Sequence, residues 1–327
     1  MTARVLLIST PRSGSTWAMR MLACAPGGVY VHEPDNVDTE GTVRDSSTRL
    51  GFGPYPVLEP GSSAPQYAAL WDLAFQGRRA LRLRRGVGRR VSRLAFRLPH
   101  RVRDPLLWAA TRALRRVGPS ADLVVVSSVM AHFAAEWIED RFRPRVVVLQ
   151  RNPLNVASSW LRLEVTAYDV HVRPAIVRDT LAPLGIAAPP QSLSRVGLIG
   201  WWIGALAEQL RHLVDRHPDW LLLTHDMLCV DAQAGFRRAY GQLGLAWTAA
   251  GDRYLSESGY VESIAAGGSR EFIAPLAGGE ADAVAVRQRQ VRAWEERLTE
   301  EEVAELREVL AGFPNQGWVR APQADAT

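Results

Sequence analysis

The chain has 327 residues, 39 basic and 34 acidic side chains, a formal net charge of +5 and a hydrophobic content of 47%. That length suits one large α/β domain or two smaller ones, with enough apolar side chains for a sizeable core. All 39 basic residues are arginine, which excludes Schiff-base chemistry through a lysine and any phosphate loop ending in Gly-Lys-Ser/Thr.

In chain order, a short apolar strand is expected at Arg4–Ser9, running through a polar loop into a helix near 13–24. There is no signal-peptide cleavage pattern. A second strand at Gly28–Val31 leads into "YVHEPDN". The proline-rich stretch 51–65 reads as a loop. Arg78–Arg116 holds 14 arginines against one aspartate, interleaved with Leu81, Leu83, Val87, Val91 and Leu94. It reads as an arginine-rich helical insertion, with a helical pattern at 104–117. Either it is a solvated face, or it covers an anionic cofactor or meets an acidic substrate or membrane surface. Nucleic acid is not the expected partner, because no recognition motif accompanies the charge.

Strands follow at Asp122–Ser127, Arg145–Gln150 and Trp220–Thr224. Helical patterns lie near 130–141, 153–163, 195–216, 232–243 and 284–311. Short continuous Val/Leu/Ile strands alternating with helices indicate a parallel sheet covered on both faces, a three-layer α/β fold. The expectation is a single domain over 1–327 with a flexible tail from about 314. The longest apolar run, "VGLIGWWIGALA", is too short to span a membrane, so a cytoplasmic location is expected. Cys24 and Cys229 have no disulfide or metal spacing, and the histidines show no HxxxH or HExxH pattern; no metal is expected.

The first loop, "STPRSGSTW", has a physical logic. A helix N-terminus presents unpaired N–H groups and partial positive charge. Gly14 lets the backbone close around phosphate oxygens, Ser13, Ser15 and Thr16 add hydroxyls, and Arg12 adds a planar cation. In "RVVVLQRNPLNVASSWLRL" the pattern repeats. A strand ends on Arg151, Asn152 is a natural N-cap, Pro153 suits the first helical position, and Ser159 lies on the helix that follows. An arginine at a strand's carboxyl end beside a helix start suits an anion.

"PRSGSTW" resembles the 5′-phosphosulfate loop of sulfotransferases that use 3′-phosphoadenosine 5′-phosphosulfate (PAPS), most closely the bacterial and carbohydrate-directed members. Arg151 and Ser159, eight positions apart, resemble that family's 3′-phosphate signature. The resemblance implies a P-loop NTPase-like sulfotransferase fold. It implies transfer of a sulfuryl group from PAPS to a hydroxyl, leaving 3′-phosphoadenosine 5′-phosphate. Arg12 would bind the phosphosulfate, with Ser13, Gly14, Ser15 and Thr16 around the 5′-phosphate. Trp17 would lie beside the adenine or in the core. "WLLLTHDML" resembles the family's strand before a Tyr-Glu-Asp-Leu-like turn. "RAWEERLTEEEVAEL" resembles its C-terminal helices, and Thr299 with Glu302 there forms a capping box. "GGSREF" reads as a basic loop from which Ser269 and Arg270 would reach the 3′-phosphate.

Sulfuryl transfer needs a base for the acceptor proton and a cation for the leaving phosphate. Glu33 of the Glu-Pro pair matches the family's acidic residue at this place. His32 is the other candidate, because an imidazole's ordinary proton affinity suits base catalysis at neutral pH. Where many members carry a lysine, this chain has Ser127 and Ser128; His132 reads as structural. The acceptor is expected to be a small molecule, a glycan or a lipid-linked hydroxyl. The competing readings are a P-loop kinase or nucleotide hydrolase, and a non-catalytic nucleotide-binding protein on the same fold.

Overall fold

The computed structural model describes residues 2–36, 54–77, 102, 121–163, 174–265, 268–275 and 279–314. Most of the arginine-rich stretch and the tail from 315 lie outside them. Strand β1 (Ala3–Ser9) is buried from Val5 onward and leads through residues 10–14 into α1 (Ser15–Leu22). β2 (Gly28–His32) follows, then α2 (Pro65–Phe75), β3 (Leu123–Ser128), α3 (Ala135–Phe142), β4 (Arg145–Gln150) and α4 (Pro153–Arg162). Strands β1, β3 and β4 are Val/Leu/Ile runs buried along nearly their whole length, as a sheet covered on both faces requires.

Beyond a short helical passage at 174–184 come α5 (Arg195–Arg216), β5 (Leu221–Thr224), α6 (His225–Val230), α7 (Ala232–Gln242) and α8 (Ala249–Glu257). The described chain closes with β6 (Ser258–Ala265), β7 (Gly268–Pro275), α9 (Gly279–Val291) and α10 (Glu300–Ala311). The sheet is parallel, in the order β2-β3-β1-β4-β5, with helices around it. This is the three-layer α/β class expected. Among the described residues no helix is long and apolar enough to cross a membrane.

Helices α2, α6 and α8 and strand β6 have no counterpart among the expected elements, and two expected segments take another form. The pattern at 284–311 is two helices, because residues 292–299 turn between them and Thr299 opens α10 with a reciprocal capping box to Glu302. "GGSREF" is a strand from Gly268 onward: β7 pairs antiparallel with β6, with Ser269 opposite Ile264 and Arg270 opposite Ser263. β-branched and aromatic residues in both segments (Tyr260, Val261, Ile264, Phe272, Ile273) favour extended backbone, and the antiparallel ladder takes up main-chain groups that a free loop would leave exposed.

The described residues form two compact units. One comprises Met1–Ile8 and Leu22–Val146; the other comprises Ser9–Met21 and Val147–Thr327. In the first, Trp71 and Trp137 are fully buried, and Tyr67 packs edge-on to Trp71. In the second, Trp160, Trp202, Phe236 and Tyr240 are buried, and the Tyr240 hydroxyl donates to the Met21 carbonyl at 2.6 Å.

Candidate active site

The second unit contains both sequence motifs, and they touch. Arg12 holds a left-handed backbone at φ 73° and Gly14 another at φ 88°. Two such residues flanking Ser13 fold the loop tightly, and the Gly14 carbonyl accepts from Trp17 N and Ala18 N as α1 begins. The Trp160 indole donates to the Pro11 carbonyl at 3.0 Å, which pins the loop to α4. Arg12 Nε then donates to Ser159 Oγ at 3.0 Å. The cation expected at one phosphate and the hydroxyl expected at the other are thus direct neighbours.

Helix α4 starts as its sequence dictates. Asn152 accepts from Leu154 N at 2.9 Å, and Pro153 occupies the first turn. Asp226 Oδ2 accepts from Asn152 N at 3.2 Å, fixing the bend between β4 and α4. Arg151, at this bend, is only 6% exposed. Its Nη1 donates to the Arg12 carbonyl at 3.0 Å, and its Nη2 donates to the Gln290 main-chain O at 3.2 Å and side-chain Oε1 at 3.0 Å. Its Nε has no partner among the described residues. A nearly buried guanidinium is therefore bonded only to neutral carbonyl oxygens, an incomplete arrangement for a desolvated charge. Ser13 Oγ is likewise buried without a partner among the described residues.

Burial shifts the surrounding titratable groups toward their neutral forms. Burial, reinforced by the Arg151 charge, pushes the His225 imidazole well below its ordinary range. Burial pushes the Cys229 thiol, 3.5 Å from His225 Nδ1, up to about 12, so this pair carries no thiolate nucleophile. Burial raises the Asp226 carboxyl, opposed by the Asn152 amide and the Arg151 charge.

Trp17 is a core residue. It is 1% exposed, with ring centroids 6.1 Å from His225 and 5.1 Å from Phe236, so its face is not available to an adenine. Ser15 is also buried, whereas Thr16 is half-buried. From the C-terminal part of the chain, Gln290 reaches Arg151.

The first unit holds the acid candidates. Glu33 follows β2 with a left-handed backbone at φ 43°, although it precedes Pro34, a place where extended backbone is the rule. Its N–H donates to the Ser127 carbonyl at 2.9 Å. Its Oε2 accepts from Asn36 Nδ2 at 2.5 Å, and its Oε1 lies 3.5 Å from His32 Nε2. Strain of this kind in a non-glycine residue collects at functional positions.

Two residues away, Asp35 is 3% exposed and accepts from Ser128 Oγ at 2.9 and 2.8 Å and from the Tyr67 hydroxyl at 3.1 Å. Burial pushes its carboxyl up to about 7, the two hydroxyl donors pull it down, and the Glu33 charge adds to the rise. Ser128 also accepts from Met130 N and Ala131 N, so one of the two serines at the expected lysine position is a structural clasp. His132 is buried beside Tyr55 and pushed by burial to about 3, which makes it a neutral core histidine.

Three residues carry contacts here that the sequence alone did not single out: Asp35, Gln290, and Asn155, which donates to the Val291 carbonyl at 2.7 Å. Asp35 stood in the quoted "HEPDN", Asn155 is visible as the midpoint between Arg151 and Ser159, and Gln290 left no signal in the one-dimensional pattern.

Solved structures similar to this chain include two sulfotransferase domains. One is a sulfotransferase domain from the curacin biosynthetic pathway, with a TM-score of 0.46 at 12% identity, covering 95% of this chain and 97% of that one. The other is the sulfotransferase domain of an olefin synthase from Synechococcus PCC 7002, with a TM-score of 0.46 at 14% identity, covering 95% and 94%. No family model and no curated protein matches the chain.

Proposed function

We propose that this chain is a sulfotransferase that moves a sulfuryl group from PAPS to the hydroxyl of a small-molecule, glycan or lipid acceptor. The observation that carries the reading is Arg151. It is a nearly buried cation hydrogen-bonded only to neutral oxygens, one of them the carbonyl of Arg12, whose own side chain meets Ser159. A tetrahedral polyanion would give the Arg151 guanidinium a direct anionic acceptor, which none of its hydrogen-bond partners is. The donor, when bound, supplies the sulfuryl group and a phosphate leaving group.

In this reading Arg12 offsets the charge that grows on the departing phosphate oxygen, and Arg151 with Ser159 anchors the 3′-phosphate. Ser13, Gly14, Ser15 and Thr16 shape the loop. Glu33 takes the acceptor proton as the acceptor oxygen forms its bond to sulfur and the sulfur–phosphate oxygen bond breaks. His32, 3.5 Å from Glu33, is the alternative base. Ser269 and Arg270 remain assigned to the 3′-phosphate only by the family resemblance.

Two measurements test this. Calorimetry with 3′,5′-ADP should show binding by the full chain, and Arg12→Ala or Arg151→Ala should weaken it about 10- to 100-fold, as expected for losing one charge-assisted contact. Transfer of radiolabel from sulfate-labelled PAPS to an acceptor panel should stop in Glu33→Ala while 3′,5′-ADP binding persists. Binding of ATP with magnesium in place of 3′,5′-ADP would overturn the reading in favour of a kinase or hydrolase.

A further inference from the structure

Gln290 lies at the end of α9, where the last carbonyls of a helix have no partner within it and carry the negative pole of its dipole. Arg151 caps that end by donating from Nη2 to the Gln290 carbonyl at 3.2 Å, and Asn155 caps the next one, donating from Nδ2 to the Val291 O at 2.7 Å. Asn155 also accepts from Trp294 N at 3.0 Å, so the chain on both sides of the helix end is fixed to α4 without Arg151. The Gln290 side chain is the additional element. Its Oε1 takes the second hydrogen of Arg151 Nη2.

From this we infer that Gln290 sets the affinity of the anion site by competing for Arg151. Its amide oxygen holds the position on Nη2 that an oxygen of a bound phosphate takes, and binding rotates the side chain away while the main-chain contact stays. A neutral amide suits the task. It satisfies the guanidinium, yet a phosphate oxygen, which brings a full negative charge and can pair with the guanidinium through two parallel bonds, displaces it. The inference rests on the nucleotide reading above.

The test compares full-length wild type, Gln290→Ala and Gln290→Glu by calorimetry with 3′,5′-ADP, each checked by thermal melting to be folded. Removing the competitor should tighten binding about three- to tenfold, whereas a carboxylate ion-paired to Arg151 should weaken it by about tenfold or more. Equal or weaker binding by Gln290→Ala, with wild type binding normally, overturns the competition and leaves the nucleotide reading standing. If neither wild type nor Gln290→Ala binds 3′,5′-ADP, the nucleotide reading itself falls and the competition with it.

Discussion

Arg12 and Glu33, the cation and the acid assigned to the chemistry, both hold left-handed backbone, at φ 73° and φ 43°. For a residue with a Cβ this costs on the order of 1–2 kcal/mol, so a glycine is the more comfortable choice at either place. The chain spends stability there to aim a side chain. The expected consequence at Arg12 separates backbone from side chain. Arg12→Gly and Arg12→Ala lose the same hydrogen bond to Ser159, yet the glycine variant should be the more stable by about 1 kcal/mol in urea unfolding, and both should weaken 3′,5′-ADP binding to a similar extent. Equal stabilities would mean that the loop relaxes out of its left-handed turn once the arginine is gone.

Helix α4 joins both phosphate-binding assignments to the rest of the second unit, and its start is set by three consecutive residues: Arg151 at the bend, Asn152 as cap, Pro153 in the first turn. Asn152→Ala should cost about 1 kcal/mol and also weaken 3′,5′-ADP binding, because the bend that carries Arg151 loosens. Thr299→Ala removes the cap of α10 at a similar cost and should leave the binding unchanged; paired denaturation and calorimetry distinguish the two. Caps like these were legible in the sequence because they depend on neighbours a few positions away, and so were the buried strands. The pairing of Arg12 with Ser159 was not, since the two lie 147 positions apart and each motif reads as a separate phosphate site. Trp17 was ambiguous for a related reason: an aromatic in a first helical turn packs inward or outward according to what faces it, and here His225 and Phe236 face it. Gln290 was invisible because a helix end gives no sign of which distant side chain will cap it.

For the molecule as a whole, burial of ionisable groups fixes how stability responds to pH. The Asp35 carboxyl, raised to about 7, keeps a proton in the folded protein that the unfolded chain releases above about pH 4. Its contribution is therefore complete below that value, declines as pH rises and is lost above about 7. His132, pushed to about 3, acts with the opposite sign, contributing above about pH 6.5 and losing that contribution on acidification. Asp35→Asn isolates the first effect. Its unfolding free energy relative to wild type should rise by about 1.4 kcal/mol per pH unit between roughly pH 4 and 7 and then level off. A flat difference in urea titrations across that range would show that Asp35 is ionised in the folded protein.

The contact between Arg12 and Ser159 has one more consequence, in the time domain. The loop leaves the ribosome nearly 150 residues ahead of the helix it needs. Contacts of such sequence separation close late, after local helices and hairpins have formed. The capacity to hold a polyanion should thus arrive near the end of folding, making ligand capture a marker of the finished chain rather than of its parts.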